Sequence, residues 1–236
     1  MQLITCNIPP KLMAGFVDSN LPLAYDVTDD SVEIWMHGVV GDEMSETDSQ
    51  SVGQLLAKNK GKSVTLRVNS PGGLAYDGVA IFNALQSHDG PTTGLIEGMA
   101  GSAASLAVVG CDRVKCYEGA VFHPHYSLVL AFGHQPEIRE ALAIQERLDL
   151  DLEQMYKGVS NQTLAKVRQD LEGPNGDGTT FSAQEAVNAG YVHEVVSHGT
   201  PAPAGAEAEA LDRNRRSLLA ARTRQHGLTL TARQPQ

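Results

Sequence analysis

Between residues 31 and 196 the chain alternates strand-like and helix-like segments, and two of the strand-to-helix junctions are rich in glycine. That alternation limits the fold to an α/β architecture with a mainly parallel sheet and right-handed crossovers. Ser31–Val40 sets Val32, Ile34 and Met36 on one side and reads as a strand. Glu46–Asn59 carries Val52, Leu55 and Leu56 on one helical face. Ser63–Val68 is a second strand, broken by Asn69-Ser70-Pro71-Gly72-Gly73 before a helix over Ala75–Ser87. Thr92–Ile96 is a third strand, followed by a small-residue turn at Gly98–Gly101 and an alanine-rich helix over Ser102–Val109, read as buried. Two short strands follow, Arg113–Tyr117 and Ala120–His125. The longest helical pattern, Glu137–Lys157, has the stripe Ile138, Leu142, Leu148, Leu152, Met155. A short helix over Thr163–Leu171 precedes a capped one, with Ser182 as N-cap, Glu185 completing a capping box and Gly190 at the C′ position. Tyr191–Val196 reads as the last strand.

Composition excludes several classes. With 42% hydrophobic and 19% charged residues the chain is globular rather than disordered, collagenous or coiled-coil. No apolar run of about 18 residues exists, so no membrane span is expected. The start, MQLITCNIPP, lacks the regions of a signal peptide. The three cysteines read as reduced thiols of a cytosolic protein, and Cys111 and Cys116 lack the spacing of a zinc site, so no metal is expected. The net charge of −10 argues against nucleic acid as a partner, but it is unevenly spread. Leu211–Gln236 holds six arginines against Asp212 alone, a net +5, which leaves −15 on residues 1–210. Residues 1–30 read as an N-terminal arm or irregular edge, residues 31–199 as the folded domain, and residues 200–236 as a Pro/Ala-rich linker and a flexible Arg-rich tail.

Phosphate-loop, dinucleotide and zinc-protease motifs fail. Leu56 stands where a P-loop needs glycine, and Ala100 and Ala104 flank Ser102 where a nucleophile elbow has glycines. What remains are the two glycine-rich turns at strand C-terminal ends, where open α/β sheets place their sites. At the first, Gly72-Gly73 allows backbone N–H groups to approach a ligand. At the second, Ser102 arrives at a helix start, where free N–H groups and the dipole favour negative charge. A serine there, facing a Gly-Gly turn, suits a nucleophile with an oxyanion hole. Its base would be histidine, and His123 and His125 project from one face of an apolar strand. Asp177 is the best-placed orienting acid, with Asp170 and Glu172 as alternatives.

The blocks NSPGG, GMAGSAAS, a strand-borne histidine and SAQEAVNAGYV, in that order, resemble the Clp-type serine peptidases. Within them the chain is most similar to the bacteriophage branch, the ClpP-related head maturation (prohead) proteases. The resemblance covers about residues 31–196, and Gly73 and Ser102 stand 29 residues apart, as the family's pattern expects. It implies a ClpP/crotonase-like α/β fold with repeated ββα units and a helical handle region. It implies Ser102 as nucleophile, with the N–H groups of Gly73 and Ala103 as oxyanion donors. The family's spacing from Ala120 selects His125 over His123 as base. The family's acid position, four residues before Ser182, is here Gly178, so Asp177 takes the role with a one-residue loop shift. No cofactor is implied. The partners implied are phage capsid, scaffold or portal proteins as substrates and a homo-oligomeric ring, in the host bacterial cytoplasm within the assembling procapsid. Two other readings compete: a crotonase-like acyl-CoA enzyme, which gives no reason for Ser102 and His125 together, and an inactive assembly component with a peptidase fold.

Overall fold

A computed structural model describes residues 23–41 and 47–197. The chain divides into two units, Met1–Val196 and Ser197–Gln236. The linker and Arg-rich tail, and most of the N-terminal arm, lie outside the described residues.

The first unit holds an eight-stranded sheet. Its strands are β1 (Ala24–Val27), β2 (Ser31–Val40), β3 (Ser63–Gly73), β4 (Thr92–Gly101), β5 (Arg113–Tyr117), β6 (Val121–His123), β7 (Phe181–Ser182) and β8 (Glu194–Val196). The helices are α1 (Ser49–Lys58), α2 (Ala75–Gln86), α3 (Ser102–Val108), α4 (Gln135–Val159), α5 (Leu164–Glu172) and α6 (Ala183–Asn188). The main path runs β1-β2-β3-β4-β5-β8, parallel throughout except for the antiparallel β1–β2 pair. The expected α/β class and mainly parallel sheet are therefore what the chain forms.

Period-2 alternation decides the sheet's sides. Val32, Ile34 and Met36 on β2 and Val64, Leu66 and Val68 on β3 are buried, while Glu33, Trp35, Thr65 and Arg67 between them are half-buried. On that second side Arg67 joins Glu33 at 2.8 Å and also pairs with Glu97, whose carboxylate meets His37 at 2.9 Å. Its Nε, Nη1 and Nη2 groups all donate to these carboxylates, which offsets the cost of half-burying the cation.

Helix α3 is buried along its whole length after Ser102, as its alanines imply. Small residues are what allow the approach. A Cβ on Gly78 of α2 would come within 2.7 Å of the Ala103 carbonyl oxygen, and one on Gly94 of β4 within 2.5 Å of Val108.

Four sequence expectations shift. Strands β3 and β4 continue through NSPGG and through Gly98–Gly101 instead of stopping at Val68 and Ile96. Register shifts between His37 and Val39 and between Val68 and Ser70 absorb the irregular residues, so the chain bulges without leaving the sheet. Ala24–Val27, expected as irregular, is an edge strand. The strand expected over Ala120–His125 is laddered only to His123, because Pro124 has no N–H to donate. The apolar stripe of α4 splits in two: Ile138 and Leu142 are exposed, whereas Leu148 and Leu152 are buried and Met155 is half-buried.

One topological detail places the site. Strand β4 gives its first half, Thr93–Ile96, to β5 and its second half, Met99–Gly101, to β6. Strand β6 then pairs antiparallel with β7. The end of β4, where Ser102 begins, is thus flanked by the histidine strand.

Candidate active site

Ser102 has φ 50, the single positive value at a non-glycine among the described residues. A left-handed backbone costs an L-residue about 1–2 kcal/mol, and such strain collects at functional sites. It arises from the turn: β4 ends at Gly101 and α3 starts at the next residue, with no loop between them. Gly72, at φ +104, closes over this turn. A Cβ there would overlap Ser102 Cβ and come within 2.7 Å of Gly101 O and 3.0 Å of Ala103 N. The two glycine-rich turns of the sequence therefore meet face to face. Gly73 is laddered with Val40 of β2, and a Cβ on it would run into that residue's backbone.

The strand register sets His123 opposite Gly101. His123 and His125 are half-buried neighbours, with ring centroids 5.5 Å apart. His125 Nδ1 lies 2.5 Å from the Tyr126 carbonyl oxygen. A carbonyl only accepts, so Nδ1 carries the proton and a neutral ring keeps its lone pair on Nε2. His123 Nδ1 lies 2.9 Å from Thr180 Oγ1. Burial, and then the neighbouring His125, push the His123 pKa below its ordinary value; the backbone of Thr179 and the Asp177 carboxylate act the other way.

The loop after α5 runs beside this strand. Thr179 N–H donates to the Pro124 carbonyl at 3.3 Å. Gly178, at φ +89, lies against His125: a Cβ there would come within 2.5 Å of His125 Cβ. The position where the resemblance expects the acid thus faces the expected base, but it carries no side chain. Asp177 is exposed, and its charge acts on His123. Of the other two candidate acids, Asp170 is engaged elsewhere. Asp170 is buried against Lys166 at 2.6 Å, Gln162 at 2.9 Å and Tyr191 at 3.1 Å. Glu172 is exposed, and its carbonyl accepts from the Gly178 N–H. Sequence reasoning missed Thr180 as a partner of His123. No local signal marked it: Phe122 pairs with Phe181, and it is the next step of that antiparallel ladder that sets His123 opposite Thr180.

Among the described residues no group of three or more His, Cys, Asp and Glu is arranged to hold a metal, and no helix is long and apolar enough to cross a membrane. The two described cysteines are buried free thiols, and burial pushes Cys116 up to about 11.

A mainly parallel sheet with a strained serine at a strand–helix junction, a glycine turn closed over it and two histidines on and just after the neighbouring strand defines an α/β domain with a candidate hydrolytic site. The Clp protease family model matches residues 23–199, and the chain belongs to that family. An ATP-dependent Clp protease proteolytic subunit of Chlorella vulgaris is 28% identical over 162 residues, 64% of this chain and 75% of that protein. The corresponding subunit 2 of Synechococcus sp. (strain CC9605) is 31% identical over 164 residues, 64% of this chain and 78% of that protein. Among solved structures, a mutant of ClpP1 from Listeria monocytogenes shares the fold with a TM-score of 0.59 at 16% identity, over 70% of this chain and 91% of that one.

Proposed function

We propose that the chain is a serine endopeptidase. The observation that carries this reading is Ser102, strained at the start of α3 beneath the Gly72 turn, with a histidine strand laddered to the residue before it. Ser102 Oγ attacks the peptide carbonyl, His125 takes its proton at Nε2 and later returns it to the leaving amine, and Asp177 is the acid of the triad. The N–H groups of Gly73 and Ala103 receive the oxyanion. The substrate binds extended, as a strand beside Gly72–Ala75. The Nδ1–H bond of His125 to Tyr126 supports this base, because it leaves Nε2 as the acceptor.

A second assignment has its own support: His123 sits opposite Gly101 and feels the Asp177 charge. Replacing Ser102 by Ala should lower turnover by about 10⁶, the scale seen when another serine protease loses its nucleophile. Of His123→Ala and His125→Ala, the true base should show a loss of that order and its neighbour a far smaller one. Cleavage surviving in purified Ser102→Ala protein sinks the peptidase reading.

The biological reading follows the sequence resemblance: processing of phage capsid, scaffold or portal proteins within the procapsid, by a ring of identical copies. The acidic body and +5 tail support it, since a basic appendage suits docking on an acidic assembly partner. Coexpression of wild type and Ser102→Ala with the neighbouring capsid proteins, followed by intact-mass measurement of their termini, tests it. Identical termini in the two samples would refute it.

A further inference from the structure

Two buried hydroxyls tie the candidate nucleophile to the long helix α4. Ser105 Oγ donates to the Ser102 carbonyl oxygen at 2.7 Å. The same Oγ lies 2.7 Å from Tyr156 Oη. A serine hydroxyl has one proton, and here it goes to Ser102 O, so Tyr156 is the donor in the second bond. Ser105 is 0% and Tyr156 1% exposed, and burial pushes the Tyr156 phenol up, so it keeps its proton. The Tyr156 ring is held edge-on against Tyr191, centroids 5.9 Å apart. The chain of donation is therefore Tyr156 to Ser105 to the Ser102 carbonyl, each link strengthening the next in a dry interior.

The consequence lies in the peptide plane. The Ser102 carbonyl and the Ala103 N–H belong to one planar trans unit and point in opposite directions; no peptide among the described residues is cis. Holding the oxygen aims the N–H. We propose that Ser105 and Tyr156 are positioning residues that fix the Ser102–Ala103 peptide so that the Ala103 N–H points at the oxyanion. A strained φ at Ser102 makes such a clamp necessary, because a left-handed residue persists only where its surroundings over-determine it. The inference rests on Ser102 as nucleophile and Ala103 as oxyanion donor.

The test uses the full-length protein, peptide cleavage kinetics, and the affinity of a peptide boronate, which mimics the tetrahedral state. Tyr156→Phe deletes one oxygen and should lower kcat about three-fold with KM unchanged. Ser105→Ala should lower it about ten-fold or more, because the carbonyl then loses the side-chain donor that adds to its helical bond. Boronate affinity should fall in step with kcat. Adding Tyr156→Phe to Ser105→Ala should cause no further loss, since Tyr156 acts through Ser105. Tyr191→Phe, which removes a hydroxyl of similar burial bonded to Asp170, should lower the melting temperature and leave kcat and boronate affinity unchanged. If Ser105→Ala does not fold, the comparison of Tyr156→Phe with Tyr191→Phe still decides. Unchanged kcat and boronate affinity in folded Tyr156→Phe and Ser105→Ala overturns the inference alone. Failure of a fluorophosphonate to label Ser102 in wild type overturns the nucleophile assignment and the inference with it.

Discussion

Gly178 stands where the resemblance expects the triad carboxylate, so replacing it by Asp asks whether the site could be returned to that pattern. The structure predicts that it cannot. Gly178 has φ +89, a conformation that costs a residue with a side chain about 1–3 kcal/mol. Its Cβ would also overlap the Pro124 carbonyl oxygen and come within 2.5 Å of His125 Cβ and 3.1 Å of His125 Cα. Neither obstacle is the free end of a flexible side chain, so the backbone must move, at a further cost of about 1–3 kcal/mol. The middle of the combined range is about 4 kcal/mol, which for a domain of this size lowers the melting temperature by about 8–16 °C. Gly178→Ala should lose nearly as much, because the penalty belongs to the Cβ and the dihedral and not to the charge. Thermal melts of wild type and both variants, with peptide cleavage measured in parallel, give the answer. A Gly178→Asp protein that melts at the wild-type temperature and cleaves faster would refute the reasoning, and would also remove Asp177 from the triad.

Three further outcomes can be checked. The His123 ring should titrate by NMR below 6.5, because burial and then the His125 charge oppose its protonation; its midpoint should rise in His125→Asn, and an unchanged midpoint would contradict the coupling. The sign for stability follows: the unfolded chain holds more protons between the depressed value and 6.5, so stability falls as pH drops through that window. Asp170→Asn should destabilise the fold by about 1–3 kcal/mol through the lost pairing with Lys166 and weakened acceptance from Tyr191, with kcat changed less than a few-fold; a loss of a hundred-fold or more would make Asp170 the acid. Phe122→Ala, at 0% exposure and stacked 5.3 Å from Tyr191, should cost about 3–5 kcal/mol, read by denaturant unfolding.

Much of the fold was legible because its signals are local. The alternation that sets Val32, Ile34 and Met36 on one side matches the buried side of β2 up to the His37 register shift, and the Ser182–Glu185 capping box forms as read. The junctions were legible only in part. NSPGG and GMAGS look like breaks to any local rule, since glycine and proline interrupt strands. They stay in the sheet because register shifts against neighbouring strands accommodate them, and no single segment carries the information about its neighbour's register. The exposure of Ile138 and Leu142 was likewise hidden, because a helical stripe states which residues share a face but not whether anything covers it.

The candidate site divides along the same line. Sequence alone determined the residue types, their order and the helix that Ser102 opens, because these depend on spacing and backbone propensity. It could not determine which histidine meets which partner. That was decided by β4 sharing one edge between β5 and β6, and by the β6–β7 ladder that sets Thr180 against His123 and Gly178 against His125. The Ser105–Tyr156 contact spans 51 residues of chain and was equally beyond reach. A side chain's partner is a property of packing, and packing joins residues that share nothing in the linear order.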